Sequence, residues 1–244
     1  MAALALGCSL VALLGAARAP TLLAAREGAA LRVVALQYAR SEQLSFPRPG
    51  QPSASGPFAW MFQVVVGRGH VVLVDAGTEA FLDPARGPAL RGRWRVARAS
   101  TLAESLARVG LTPADVTDLV LTHHHWDHSD GAALLPNAKV HAHRAEWARA
   151  AARSRVPAGR LALFDRFPHR PLPWLELRAR PGHTPFHASV EVACRAPLHL
   201  LGDAPHLPGA GGPRAGEVTG HDPCLFAPGE DVALLCDDEL EGSP

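Results

Sequence analysis

The segment Thr122-His-His-His-Trp-Asp-His128 (THHHWDH) decides which fold and chemistry this sequence indicates. It places five ionisable side chains in six consecutive positions, directly after the run Thr117–Thr122, whose apolar pattern predicts a buried strand. A polar surface turn would rarely collect so many titratable groups. The segment therefore predicts a metal-binding loop at the end of a strand.

The spacing within this loop suggests how the side chains are shared between two metal ions. In an irregular loop, alternating and then adjacent ligands let His123 and His125 face one way while Asp127 and His128 face another. Neutral imidazoles and a carboxylate suit Zn2+, and iron, manganese or cobalt could occupy the same set. One loop is thus expected to serve two metal ions.

Two later segments add further candidate ligands after apolar runs. Pro181-Gly-His-Thr-Pro-Phe-His187 contains His183, and Leu200-Leu-Gly-Asp203 ends in an aspartate. We expect His183 to complete a three-histidine set and Asp203 to bridge both metals.

Taken in order, HxHxDH, PGHTPxH and GD resemble the metallo-β-lactamase superfamily over roughly residues 31–203. The resemblance implies an α/β (α+β) fold, a four-layer αββα sandwich with the site at one edge. It also implies two zinc ions and a bridging hydroxide nucleophile, with Asp127 orienting the hydroxide and moving a proton. Val74-Asp75-Ala76-Gly77 matches an early element of the family, so Asp75 is predicted to orient the metal ligands.

The run Leu106–His128, which reads LxxVGLTPxDVTDLVLTHHHWDH, is most similar to the N-acyl homoserine lactonase branch. That likeness implies a lactone or another carboxylic ester as substrate. Lactonases of this branch carry a tyrosine three residues after the bridging aspartate; here the position is His206, predicted to be a catalytic donor or else an exposed loop residue. A thioester hydrolase of the glyoxalase II kind, a β-lactamase and a degenerate member without activity are the alternatives.

The C-terminal end departs from the family pattern. Family members usually end with one more histidine, on a strand after a helix, and His221 follows Asp203 by only 18 residues, which leaves little room for that helix. His221 is therefore either the final ligand or part of the loop that precedes the helix in the family, in which case the last ligand is absent. In the second case Asp127, His128 and Asp203 alone would hold a weakly bound second metal.

Composition narrows the class of partner. The 244 residues carry 24 basic and 23 acidic side chains, and 48% of them are hydrophobic. This near balance argues against nucleic acid and against an anionic membrane surface as partner, and it favours a small ester or lactone substrate. No stable membrane insertion is expected after removal of the signal. Residues 31–244 are expected to form one hydrolase domain with an atypical or truncated C-terminal part.

Residues 1–30 are predicted to be a signal peptide or an N-terminal extension. Met1–Ala17 lacks charge, and Ala17-Arg18-Ala19 has the form of a cleavage site, which favours a secreted or periplasmic protein over a cytoplasmic one. Cleavage would leave three cysteines, an odd number from which no disulfide framework can be read.

Hydrophobic periodicity and turn residues predict the remaining elements. A capping box at Thr101 and Glu104 starts a helix, and the Pro/Gly/Ser-rich stretch Phe46–Pro57 is predicted to be loop. A second helix is predicted at Arg144–Ser154. Strands are predicted at Leu31–Leu36, Phe62–Val66, Val71–Val74, Lys139–His143, Trp174–Arg180, Ser189–Cys194 and Leu198–Leu201.

Overall fold

The computed structural model of the protein describes residue 28 and residues 30–48, 51–204, 216–227 and 229–238. The predicted leader or extension at residues 1–30 therefore lies almost entirely outside the described residues. His206 also lies outside them.

The described chain forms two β-sheets and a few helices. The strands are β1 (Arg32–Arg48), β2 (Gln51–Gly67), β3 (His70–Val74), β4 (Val96–Ala99), β5 (Asp118–Val120), β6 (Lys139–His143), β7 (Leu161–Phe164), β8 (His169–Leu172), β9 (Leu175–Ala179), β10 (Ala188–Val192), β11 (Leu198–Leu200), β12 (Glu217–Val218) and β13 (Val232–Asp237). The α-helices are α1 (Gly87–Trp94), α2 (Leu102–Ala107), α3 (Trp126–Ser129) and α4 (Arg144–Ser154).

Strand order explains where the site lies. The first sheet runs β13-β1-β2-β3-β5-β6-β7, with β4 paired to β1, and the second runs β12-β11-β10-β9-β8. Strands β3, β5, β6 and β7 are parallel to one another. Their carboxyl ends meet at one edge of the first sheet, so the loops that follow β3 and β5 emerge side by side.

The core has two layers because successive strand residues point to opposite faces. Val72 of the first sheet and Val190 of the second lie in the cluster between the sheets. Leu73 points the other way and belongs to the cluster that includes Leu106 of α2 and Trp147 of α4. The predicted α/β fold with two facing sheets is thereby confirmed, and the helices named here pack on the outer face of the first sheet.

The outer face of the second sheet differs from that of the first sheet, on which helices pack. The described residues after Ser154 contain no α-helix. Glu176 forms ion pairs with Arg170 and Arg178, and Arg178 reaches Glu191 on β10 at 2.9 Å. A row of charged side chains therefore faces outward from these strands.

The loop predicted for Phe46–Pro57 is wrong. Pairing of β1 with β2 continues to Arg48 opposite Gln51, with a register shift between Phe46 and Arg48. Pro47 lacks an N–H, and such a residue is tolerated where the ladder is irregular. The described residues of this stretch, 46–48 and 51–57, thus belong to the strands of a long hairpin.

A disulfide connects the two sheets. Cys194, just after β10, bonds to Cys236 of β13, and their Cα atoms are 6.7 Å apart. Among the described residues, no helix is both long and apolar enough to cross a membrane.

Candidate metal centre

Asp75, immediately after β3, fixes the start of the histidine loop. Its Oδ1 accepts a hydrogen bond from the Thr122 backbone N–H at 2.8 Å, and its Oδ2 accepts one from the Thr122 hydroxyl at 2.8 Å. The same Oδ2 lies 2.8 Å from Nδ1 of His128. This buried carboxylate therefore orients both ends of the loop, and it leaves Nε2 of His128 free to face the site.

Three histidines converge on one point. Nδ1 of His125 lies 3.0 Å from Nε2 of His123 and 2.8 Å from Nε2 of His183. A tetrahedral zinc ion with Zn–N bonds of about 2.0–2.1 Å needs ligand atoms roughly 3.3 Å apart, close to this spacing. The other ring nitrogen of His123 lies 3.0 Å from the Thr122 hydroxyl, which orients the ring.

Burial keeps these three rings neutral. It lowers the pKa of His123 strongly and lowers the pKa of His125 and of His183, in each case as the largest effect, ahead of the surrounding charges. Metal binding requires a neutral imidazole, so no proton has to be displaced here. This group of three residues is called site 1 below.

A second cluster lies beside the first. Asp127, His128, Asp203 and His221 each offer a ligand atom within 4.8 Å of the others. Nε2 of His128 and Oδ1 of Asp203 are buried without a hydrogen-bond partner, although they approach to 3.2 Å. Two such unsatisfied atoms in contact fit a cation between them, because an unpaired buried polar group is otherwise costly. This four-residue group is called site 2.

The charges of site 2 differ from those of site 1. Burial would lower the pKa of His128, but Asp203, Asp127 and Asp75 outweigh it and raise that pKa well above its usual value. Burial would raise the pKa of Asp203, yet His221 and His128 lower it. Carboxylates and imidazoles are therefore electrostatically matched in site 2.

Asp203 faces both clusters. Its Oδ2 lies 3.4 Å from Nε2 of His183, and its Oδ1 lies 3.0 Å from Nε2 of His221. The preceding Gly202 has φ of 54°, and a Cβ there would lie 2.9 Å from both His187 and the Thr122 hydroxyl. Only glycine fits this turn, which aims the aspartate between the two groups.

His221 reaches the centre from a segment that follows the second sheet's last strand. It lies in a turn just after β12, where its Nδ1 donates to the Ala59 carbonyl oxygen at 2.8 Å. Phe58 stacks on its ring at 4.1 Å, and Trp60 meets the ring edge at 5.5 Å. Contacts with β2 thus leave Nε2 directed at Asp203, where a final ligand would have to lie, and the ligand role of His221 stays a prediction.

Two residues that the sequence did not single out support the loop. The buried Tyr38 donates from its hydroxyl to the Asp127 backbone oxygen at 3.0 Å, and burial raises the pKa of this tyrosine well above 10. Glu146 of α4 bonds to His124. Burial would raise the pKa of Glu146, but hydrogen bonds from His124 and Thr184 lower it. Both supports come from distant strands or helices, so no local pattern marks them.

Other histidines lie apart from the ligand atoms. The fully buried His187 ring is 5.0 Å from that of His123, behind site 1. His141 of β6 pairs with Asp118 of the neighbouring β5 at 2.8 Å, and His143 caps α4 by accepting from the Ala145 N–H.

Comparison with known proteins agrees with this geometry. Two facing sheets with a histidine and aspartate centre at one sheet edge define a metallo-hydrolase-like fold. The model of the metallo-β-lactamase superfamily matches residues 57–197, and the chain belongs to that superfamily.

Three similar proteins show the range of this likeness. A probable metallo-hydrolase of Mycobacterium tuberculosis is 39% identical over 80 residues, which is 31% of this chain and 26% of the relative. A probable metal-dependent hydrolase from Staphylococcus aureus has a TM-score of 0.58 at 18% identity, covering 72% of this chain and 74% of that one. The dizinc quorum-quenching lactonase AidC, solved with a product bound, has a TM-score of 0.54 at 19% identity, covering 74% and 73%. The alignment thus spans about a quarter of the curated relative, and the two solved structures share the fold.

Proposed function

We propose that this protein is a dinuclear metal-dependent hydrolase that opens lactones or related carboxylic esters. The observation that carries the proposal is the position of Asp203, whose two oxygens face site 1 and site 2 separately. A shared carboxylate between a three-histidine group and an Asp/His group suits two ions side by side.

The donor set fits zinc. Imidazole nitrogens and carboxylate oxygens are the ligands that zinc accepts, and iron or manganese could use the same atoms. His123, His125 and His183 would hold one ion; Asp127, His128 and His221 would hold the other, with Asp203 between them. When bound, such ions supply Lewis acidity, which polarises a carbonyl group and lowers the pKa of water.

The protein's own residues handle orientation and protons. Asp127 belongs to site 2, with its Oδ2 3.7 Å from Nε2 of His221. Its backbone is fixed by Tyr38, so its carboxylate can accept a proton from the attacking water and return it to the departing oxygen. Assistance to the leaving group by His206 stays a prediction, tested by the activity of His206→Ala.

The substrate class rests on two supports. The sequence around the histidine loop is most similar to the lactonase branch, and AidC, a lactonase, shares the fold. The nearly balanced charge of the chain also suits a small, weakly charged ester.

Metal content tests the proposal first. Protein purified without chelator should contain two metal equivalents by mass spectrometry, and His221→Ala should contain one, because only site 2 loses a ligand. His199→Ala, a half-exposed histidine of β11 whose ring faces Glu191 of β10, is the matched control and should keep two. One or no metal in the parent protein would contradict a dinuclear centre.

Turnover then tests the substrate class. Homoserine lactones, thioesters and a β-lactam should be offered in parallel to the parent and to Asp127→Ala. Lactone opening that is lost in Asp127→Ala is the expected result. Turnover of thioester or β-lactam alone would reassign the substrate, and full lactone turnover by Asp127→Ala would refute the role of Asp127.

We also propose export to an oxidising compartment. The Cys194–Cys236 disulfide supports it, because structural disulfides persist mainly outside the reducing cytoplasm. Cell fractionation of the full chain, compared with a variant that starts after residue 30, would test this location.

A further inference from the structure

Three consecutive histidines precede Trp126, yet only the first and third face site 1. The middle one, His124, has a ring of the same chemistry and lies one residue from each ligand. Something must therefore turn His124 away and hold its neighbours in place.

Glu146 makes that contact with the histidine loop. Its Oε2 accepts a hydrogen bond from the His124 backbone N–H at 3.1 Å and is also paired with Nδ1 of the same residue. Backbone and ring are both engaged, so the orientation of His124 is set by one carboxylate oxygen.

The other oxygen of Glu146 holds the loop that carries His183. Oε1 accepts from the Thr184 hydroxyl at 2.7 Å and from the Phe186 backbone N–H at 3.1 Å. These donors lie one and three residues after His183. Glu146 therefore joins the two loops that supply all three histidines of site 1.

The Glu146 carboxylate lies on a helix that is packed against the core. Glu146 is 2% exposed and belongs to the first turn of α4, whose Trp147 and Ala150 pack into the core beneath. Ser154, at the end of α4, donates to the Ser129 backbone oxygen at 3.1 Å. Groups positioned by a packed helix keep their geometry better than groups on free loops.

We propose that Glu146 is a positioning residue that sets the geometry of site 1 and selects which of the three adjacent histidines bind metal. The inference rests on the proposed assignment of His123, His125 and His183 to one metal. An amide in place of the carboxylate keeps the shape but offers one acceptor oxygen instead of two. Glu146→Gln can then serve only one of the two loops.

The experiment isolates site 1 by working in the His221→Ala background, where site 2 lacks a ligand. Zinc affinity is measured by competition with a chromophoric chelator, and the coordination geometry is followed by the visible spectrum of the Co2+ form. Adding Glu146→Gln should weaken zinc 10- to 100-fold, the usual effect of removing a group that orients a ligand, and should change the Co2+ spectrum. Glu176→Gln, a buried glutamate on the second sheet, is the matched control and should change neither.

The outcomes separate the two proposals. Unchanged zinc affinity and Co2+ spectrum in Glu146→Gln, even with a lower melting temperature of the metal-free protein, would show a purely structural role and overturn the inference. Absence of zinc binding in His221→Ala itself would instead overturn the assignment of site 1, on which both proposals depend.

Discussion

Reduction of the Cys194–Cys236 disulfide should cost about 4 kcal/mol of unfolding free energy. The two cysteines are 42 residues apart, and the chain-entropy model gives about 4 kcal/mol for a closed loop of this length. A small domain is stable by only about 5–15 kcal/mol, so the loss is a large share of the total. The closed segment also carries Asp203 and His221, so site 2 should loosen with it.

The assay is urea unfolding of the metal-free protein with and without a non-thiol reductant. Cys194→Ala/Cys236→Ala is the control, because its response to the reductant reports every effect other than this bond. Subtracting that response should leave about 4 kcal/mol. A remaining difference below about 1 kcal/mol would refute the view that this bond restricts the unfolded chain.

Three further changes test particular contacts. A Cβ on Gly220 would lie 2.7 Å from Oδ1 of Asp203, so Gly220→Ala should weaken binding of the second metal at least tenfold in a zinc titration and leave binding of the first unchanged. Gly92→Ala is the control and should change neither affinity, because a Cβ there would have no atom within 4 Å. Burial would raise the pKa of Asp118, but hydrogen bonds from two histidines and a threonine lower it from 3.8 to about 2. This adds at most about 2.5 kcal/mol of stability, which is present above pH ~4 and is lost as pH falls towards 2. The difference in unfolding free energy between the metal-free parent and Asp118→Asn, measured with urea, should therefore disappear over that range. A difference that stays constant would contradict this prediction. Tyr38→Phe removes a buried hydrogen bond to the ligand loop and should cost about 1–3 kcal/mol by the same unfolding assay, whereas unchanged stability would show that the bond contributes nothing.

Much of the fold could be predicted because its signals are local. The strand at Lys139–His143 and the helix at Arg144–Ser154 have the predicted bounds, since periodicity and turn residues act over a few positions. The capping box at Thr101 forms as expected, with its hydroxyl accepting from the Glu104 N–H. The histidine loop likewise carries its ligand spacing within seven residues.

Contacts between distant segments could not be predicted in the same way. Sequence left the role of His221 open, because its direction depends on stacking against Phe58, 163 positions earlier in the chain. Pairing of Cys194 with Cys236 depends on the approach of two sheets. The long hairpin was missed since proline and glycine mark a turn without showing how far the strands on either side extend.

The two halves of the centre are held by different parts of the molecule, and this difference has a consequence for function. Site 1 depends on loops that are anchored to the core by Asp75 and Glu146. Site 2 takes two of its four residues from the segment between β11 and β13, which is held by the disulfide and by stacking on β2. Because the disulfide and the stacking on β2 bring His221 towards site 2, occupancy of the second metal should be the quantity that redox state and C-terminal substitutions change first. If a bridging Asp203 is required for turnover, hydrolysis would then fall with the second metal while the first remains bound.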